Sequence, residues 1–298
     1  MKKLVIAAAL AAAAITSQAQ VSIYGQMNEV LDNTKTGGVS TTGLVNDASR
    51  IGFKATEQLG SGLQARAVIE TSILANDPTG AGTQLGDRQS TVGLAGKLGS
   101  VDLGRATHNT YNTIAGVDPF GALYGSIAGD VHNLRGSRLS SATFVTVAPI
   151  AGVSLSYDRG TAAGENPYSV AASASVAGVN LSVAHFNNEV ARAKSTIVGA
   201  GTTFARTGTQ VFASHSSNED SGVTATGTLV GVAQPLAGTP VTLKASYGRT
   251  NTDVTAYNLG ASYALSKRTS VEATYRRVDA KLAANDVTQL GAGMRFAF

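Results

Sequence analysis

Between residues 21 and 298, apolar side chains keep returning at alternate positions, in runs of about ten residues separated by glycine-rich breaks. Val21, Ile23 and Met27 stand on one parity, and Ser22, Tyr24, Gln26 and Asn28 on the other. Ile51, Phe53 and Ala55 oppose Arg50, Gly52 and Lys54, while Leu63, Ala65, Ala67 and Ile69 oppose Gln64, Arg66, Val68 and Glu70. The same pattern recurs over 153–157, 241–247, 257–263 and 271–275. Period two is the period of a strand with one apolar and one polar face. Residues 290–298, L-G-A-G-M-R-F-A-F, carry it to the last position, with Leu290, Ala292, Met294, Phe296 and Phe298 on one face. A strand that ends on an aromatic without a polar tail fits a sheet closed on itself, because no sheet edge can stay unpaired in hydrocarbon.

The apolar face admits two environments: the core of a secreted β-sandwich, or lipid around a barrel. Charged residues are only 14% of the chain, against roughly 25% in ordinary soluble domains. Past residue 19 no apolar run approaches the length of a membrane helix, which needs about 20 residues. At the other end, Lys2 and Lys3 precede an apolar, Ala-rich run over 4–15, and Ser17, Gln18 and Ala19 supply small residues for cleavage. Residues 1–19 are therefore expected to be a signal peptide, and residues 20–298 one exported domain. Export without any cysteine leaves stability to the fold alone. The 23 basic and 19 acidic residues are scattered, which argues against a nucleic-acid partner.

The breaks arbitrate between sandwich and barrel. Short connections at 60–62, 177–178, 207–208 and 266–267 alternate with longer polar ones at 32–48, 74–87, 106–137 and 279–286. Short turns on one side and long loops on the other are the asymmetry of an outer-membrane barrel. The expected strands are 21–31, 49–57, 63–73, 87–96, 100–105, 138–147, 152–159, 167–176, 179–187, 194–204, 208–216, 222–233, 240–249, 254–264, 269–278 and 287–298. That makes sixteen antiparallel strands, with fourteen or eighteen left open because 87–96 and 194–204 alternate poorly. Parity puts Arg50, Lys54, Arg66, Arg88, Arg138, Lys244, Arg276 and Arg295 on polar faces, with Glu70, Asp102, Asp158 and Glu272. Basic side chains outnumber acidic ones there, and a charge on the lipid face would cost roughly 2–4 kcal/mol for Arg or Lys near the midplane.

Signals for catalysis are weak. His108, His132, His185 and His215 form no His-x-x-x-His or His-Glu-x-x-His pair. No Gly-x-Ser-x-Gly elbow occurs, and the glycine-rich stretch 121–129 lacks the lysine of a phosphate loop. No enzyme activity, metal or cofactor is expected.

The segment S-R-I-G-F-K-A-T-E-Q-L-G-S-G-L-Q-A-R-A-V-I-E at 49–70 resembles the second and third strands of the trimeric general porins of Gram-negative outer membranes. So do V-S-I-Y-G at 21–25, D-R-Q-S-T-V-G-L-A-G-K-L-G-S-V-D-L-G-R at 87–105 and G-A-G-M-R-F-A-F at 291–298. The resemblance covers both ends and the first third well, and is vague over 160–240. It implies a transmembrane antiparallel β-barrel of sixteen strands, a homotrimer, and a third loop folded into the lumen. The longest break, 106–137, falls where that loop lies. It contains Asp118-Pro119-Phe120-Gly121, where the family usually has Pro-Glu-Phe-Gly, so acid and proline have exchanged order. By the same resemblance, Arg50, Arg88 and Arg138 match basic positions on the wall facing that loop, and Glu70 an acidic one. Arg50, Arg66, Arg88, Arg138, Glu70 and Asp118 are the expected constriction and selectivity residues.

The expected function is an outer-membrane channel for passive diffusion of small hydrophilic solutes and inorganic ions, with anion preference, embedded in outer-membrane lipid. Two alternatives stand beside it. A substrate-selective porin would want a line of lumen aromatics, and the chain has no Trp, nine Tyr and eight Phe. A secreted, adhesin-like β-protein without a pore would not need the aromatic end.

Overall fold

The protein is described by a computed structural model covering residues 19–74, 84–132, 136–148, 150–161, 166–281 and 283–298. The signal segment lies outside the described residues apart from Ala19, as does most of the 74–87 connection.

One antiparallel sheet contains β1 (Gln20–Thr36), β2 (Val39–Asn46), β3 (Arg50–Gly60), β4 (Leu63–Ser72), β5 (Gln89–Gly96) and β6 (Gly99–Thr107). Two short helices follow, α1 (Asn109–Gly116) and α2 (Ala128–His132). The sheet resumes with β7 (Arg138–Val147), β8 (Val153–Gly160), β9 (Tyr168–Val176), β10 (Val179–Asn188), β11 (Ala193–Thr203) and β12 (Gln210–Asp220). It ends with β13 (Val223–Pro235), β14 (Val241–Thr250), β15 (Thr255–Ala264), β16 (Thr269–Asp279) and β17 (Val287–Ala297).

Neighbours in sequence pair with each other, and β17 returns to β1 with Gln26 opposite Ala297 and Thr36 opposite Val287. The first half of β1 pairs with β3 and the second half with β2. β2 and β3 are thus two halves of one barrel strand, interrupted at 47–49, so seventeen segments make a closed barrel of sixteen strands. The interruption is a bulge: the three steps from Gln26 to Glu29 face the four from Arg50 back to Asn46, and Ala48 has φ 58°.

Polarity is inside out. Ile23 is 62% exposed, Val92 60%, Leu259 56% and Met294 55%, while Gln26, Asn28, Ser216 and Asn258 are at most 4% exposed. A soluble sandwich would reverse this. The apolar outer face is the lipid face of a membrane barrel, and aromatic residues gather on it toward the strand ends. Tyr247 stands opposite Tyr257, whose ring lies 6.2 Å from that of Tyr275. Phe296 and Phe298 make a similar pair toward the other end, at 6.2 Å.

The 32–48 break is not a long loop. β1 runs on to Thr36, a two-residue turn at Gly37 and Gly38 follows with φ 55° and 94°, and β2 carries the chain back. Gly-Gly with both φ values positive is the chemistry of a type I′ hairpin. Apolar alternation fades over D-N-T-K-T-G-G-V-S-T-T because most of these side chains are exposed on both faces, while the backbone ladder continues. Tight turns also occur on that side at 221–222 and 251–253, so loop asymmetry is weaker than expected, and 106–137 is the dominant excursion.

Candidate functional site

The excursion begins with a capped helix. His108 is the N-cap of α1, its Nδ1 accepting from the Tyr111 N–H at 3.3 Å, and its ring stacks on Phe186 at 5.0 Å. Asp158, on the inner face of β8, accepts from the Asn109 N–H at 2.8 Å, so a carboxylate meets the positive end of the helix. The turn after α1 is built on Asp118. Its carboxylate accepts from the N–H of Phe120 at 3.2 Å, the N–H of Ala122 at 2.8 Å and the Ser126 hydroxyl at 2.6 Å. Asp118 is 5% exposed and not presented to the bore. Asp118 is expected among the constriction residues, and in the structure its carboxylate folds back onto its own turn.

Beyond that turn the segment follows the polar faces of successive strands, and glycines make room for it. A Cβ at Gly199 in β11 would lie 2.6 Å from Val117. One at Gly231 in β13 would lie 2.7 Å from Pro119, and one at Gly260 in β15 2.7 Å from Phe120. Gly291 in β17 receives the Tyr124 ring in the same way. The Tyr124 hydroxyl donates to Asp32 of β1, and its N–H donates to Asp47 at 3.0 Å. Desolvation and the Asp32 carboxylate push the Tyr124 phenol well above its ordinary value.

The return leg is held by polar bonds and a small apolar cluster. Asn258 of β15 donates to the Gly125 carbonyl. Both carboxylate oxygens of Asp130 accept from Arg276 of β16 at 2.6 Å. His132 lies between two β12 hydroxyls, Nδ1 2.8 Å from Ser216 and Nε2 2.9 Å from Ser214. Burial, and then the charge of His215, lower the His132 imidazole to about 4. Ile114, Ile127, Ala128 and Val131 pack against Ala184, Ile197, Leu229, Ala256 and Val278, one inward apolar residue from each of five strands. Fully burying an isoleucine side chain is worth roughly 1.5–3 kcal/mol, so this patch is a substantial reason for the segment to turn inward.

The arginines stand on the other wall. Glu70 of β4 accepts from Arg88 Nε at 2.7 Å, and its second oxygen lies 3.5 Å from Arg50 Nε. Arg138 Nε donates to the Arg88 carbonyl at 2.7 Å. Arg50, Arg88, Arg138 and Glu70 are therefore brought together: two guanidinium groups hold the one carboxylate, and the third is bonded to the backbone of Arg88. Gln89 pairs with Glu70 and takes the inward parity, so Arg88, one residue before β5, reaches Glu70 through its position at the strand entry. Arg66 is separate: it forms a two-bond pair with Asp102, Nε to Oδ1 at 2.7 Å, and its charge is neutralised locally. Lys244 stands over the Phe120 ring at 5.5 Å, a cation–π contact from wall to segment.

Sequence reasoning missed the anchors Asp32, Asp130, Tyr124, His132, Ser214, Ser216 and Asn258. The available signal was a set of mid-strand glycines and inward-parity serine and asparagine residues, which mark a wall that another piece of chain approaches.

The comparisons agree with this architecture. The family described as Gram-negative porin matches residues 6–283. Among curated relatives, the major outer membrane protein P.IB of Neisseria meningitidis is 37% identical over 114 residues, 35% of this chain and 34% of that protein. Outer membrane porin protein 32 of Delftia acidovorans is 36% identical over 129 residues, 41% of this chain and 36% of that protein. The matches thus span about a third of these relatives' length. Among solved structures, the anion-selective porin from Comamonas acidovorans superposes with TM-score 0.81 at 20% identity, covering 94% of this chain and 100% of that one. OmpF of Salmonella typhi gives TM-score 0.77 at 17% identity, covering 94% and 98%. With the barrel, its inverted polarity and the family match over nearly the whole chain, the protein belongs to the Gram-negative porin family, β-barrels of the outer membrane.

Proposed function

We propose that the barrel is a water-filled channel for passive diffusion of small hydrophilic solutes and inorganic ions, that it prefers anions, and that it assembles as a homotrimer after export directed by residues 1–19. Passage involves no covalent step and no cofactor. The segment 106–137 narrows the lumen from the side of β8–β17, and the arginine cluster faces the space that remains. Size exclusion acts at that level, and charge acts along its wall.

One observation carries the anion preference. Arg50 and Arg88 share the single carboxylate of Glu70, and among the described residues Arg138 beside them bonds only the Arg88 carbonyl and the Ser137 hydroxyl, whereas Arg66 is cancelled by Asp102 and Arg276 by Asp130. A narrow aqueous passage with low-dielectric walls focuses an uncompensated charge of this kind. The similarity to a porin described as anion-selective points the same way.

The test is a planar bilayer holding purified protein across a KCl gradient. Stepwise conductance with a reversal potential favouring chloride is expected. A cation-favouring potential would mean that Glu70 and the segment's acids dominate the field. Unheated protein in SDS should migrate as an oligomer and shift on boiling; a monomer under cross-linking would refute the trimer.

A further inference from the structure

The half of the lumen beneath α1 differs chemically from the arginine wall. Toward the turns at 177–178 and 204–209 lies a cavity of about 620 Å³, lined by β7–β12 and one side of α1, and no lining side chain is charged. Asn112, Ser173, Asn180 and Gln210 present amides and a hydroxyl to it, and all four are exposed. Among the described residues, the side chains of Asn112, Asn180 and Gln210 make no hydrogen bond, so their donors and acceptors are unspent. Phe212, on the inward parity of β12, adds the only aromatic ring of the lining. Gly201 beside it keeps the ring uncovered: a Cβ there would lie 3.3 Å from Phe212 Cδ1.

We propose that this cavity is a subsite for neutral, polyhydroxylated solutes of the size of a di- or trisaccharide. Such a solute gains little from the arginines and loses hydration when it enters a narrow bore. Free amides and hydroxyls replace that hydration with bonds in both directions, and the ring face of Phe212 takes the apolar C–H side of a sugar ring. The volume lies within the roughly 300–1,000 Å³ of small-molecule sites. Ions follow the charged wall, and neutral solutes dwell on the opposite one. The proposal rests on the reading of the barrel as a channel.

The experiment is single-channel recording in KCl with maltotriose added, compared with polyethylene glycol of matched hydrodynamic size. Maltotriose is expected to give resolved current blockades that the polymer does not. Phe212→Leu, which keeps bulk but removes the aromatic face, should raise the half-blocking concentration about fivefold, the order of one lost aromatic contact. Asn180→Ala with Gln210→Ala should do the same, with normal heat-modifiable mobility in SDS as the folding control. Equal blockade by sugar and polymer, or unchanged blockade in both variants, would overturn the subsite. An absence of channels altogether would instead defeat the reading of a pore.

Discussion

Phe298 and Gly25 exchange both of their backbone hydrogen bonds, each 3.1 Å long, and the Phe298 ring fills the space over Gly25, where a Cβ would lie 2.6 Å from its Cζ. This pair continues the β1–β17 ladder that closes the barrel. Deleting Phe298, or Phe298→Asp, should lower the yield of assembled barrel severalfold, because unpaired backbone groups in hydrocarbon cost several kcal/mol each. Outer-membrane level and protease resistance are the measurements, and wild-type values would contradict this role. Gly25→Val should behave similarly.

The seat of Phe120 on Gly260 gives a test of the inward segment. Gly260→Val should displace that segment and leave the barrel standing, since the new side chain meets the movable ring first. Overpacking of this kind costs roughly 1–3 kcal/mol. The expected readout is altered single-channel conductance with increased current noise and unchanged heat-modifiable mobility.

Selectivity should follow the arginine cluster. Replacing Arg50, Arg88 and Arg138 together with Ser removes three charges and leaves Glu70 alone. Reversal potentials in a KCl gradient should shift toward the cation side, more strongly at low salt, because the Debye length is near 10 Å at about 0.1 M. An unchanged potential would show that these residues do not set it.

The Arg66–Asp102 pair predicts the opposite sign. Asp102→Asn frees the Arg66 charge without changing shape, so anion preference should increase. Arg66→Gln leaves Asp102 uncompensated and should decrease it. If both variants move the potential in the same direction, the pair does not act through charge.

His132 predicts a pH dependence in the segment's attachment. Its folded value of about 4 lies below the ordinary 6.5, so the detached state binds more protons between these values. The attachment is therefore at full strength above about pH 6.5, weakens as pH falls from there toward 4, and loses no more below. Channel noise should rise across that interval. His132→Gln, which keeps hydrogen bonds to serine and cannot titrate, should flatten the profile.

Much of the barrel was legible because a lipid-facing strand must alternate, and all sixteen expected strands correspond to barrel strands. The two that alternated poorly show where the rule yields. In β11, Ile197 and Val198 are both apolar because Ile197 faces the segment's cluster inside while Val198 faces out. In β5, Thr91, Gly93 and Ala95 form a small-residue inner face, which leaves only Val92 and Leu94 to carry the pattern outward. The opposite misreading fell on 32–48, where strand continued after the apolar signal had ended.

The amino-acid sequence by itself determined the alternating strands, the closing aromatic end and the side of the wall on which most of the strand charges stand. Those properties follow from local periodicity and from the cost of placing polar groups in lipid, and both are written residue by residue. Only the tertiary structure decided which charges remain uncompensated. Arg66 and Arg50 have the same parity, yet one finds its own aspartate and the other shares a glutamate with Arg88. Asp118 is an acid in the expected loop, yet its own turn consumes it. Pairing between side chains far apart in sequence depends on how strands and the inward segment meet in space, and parity along one strand carries no record of it.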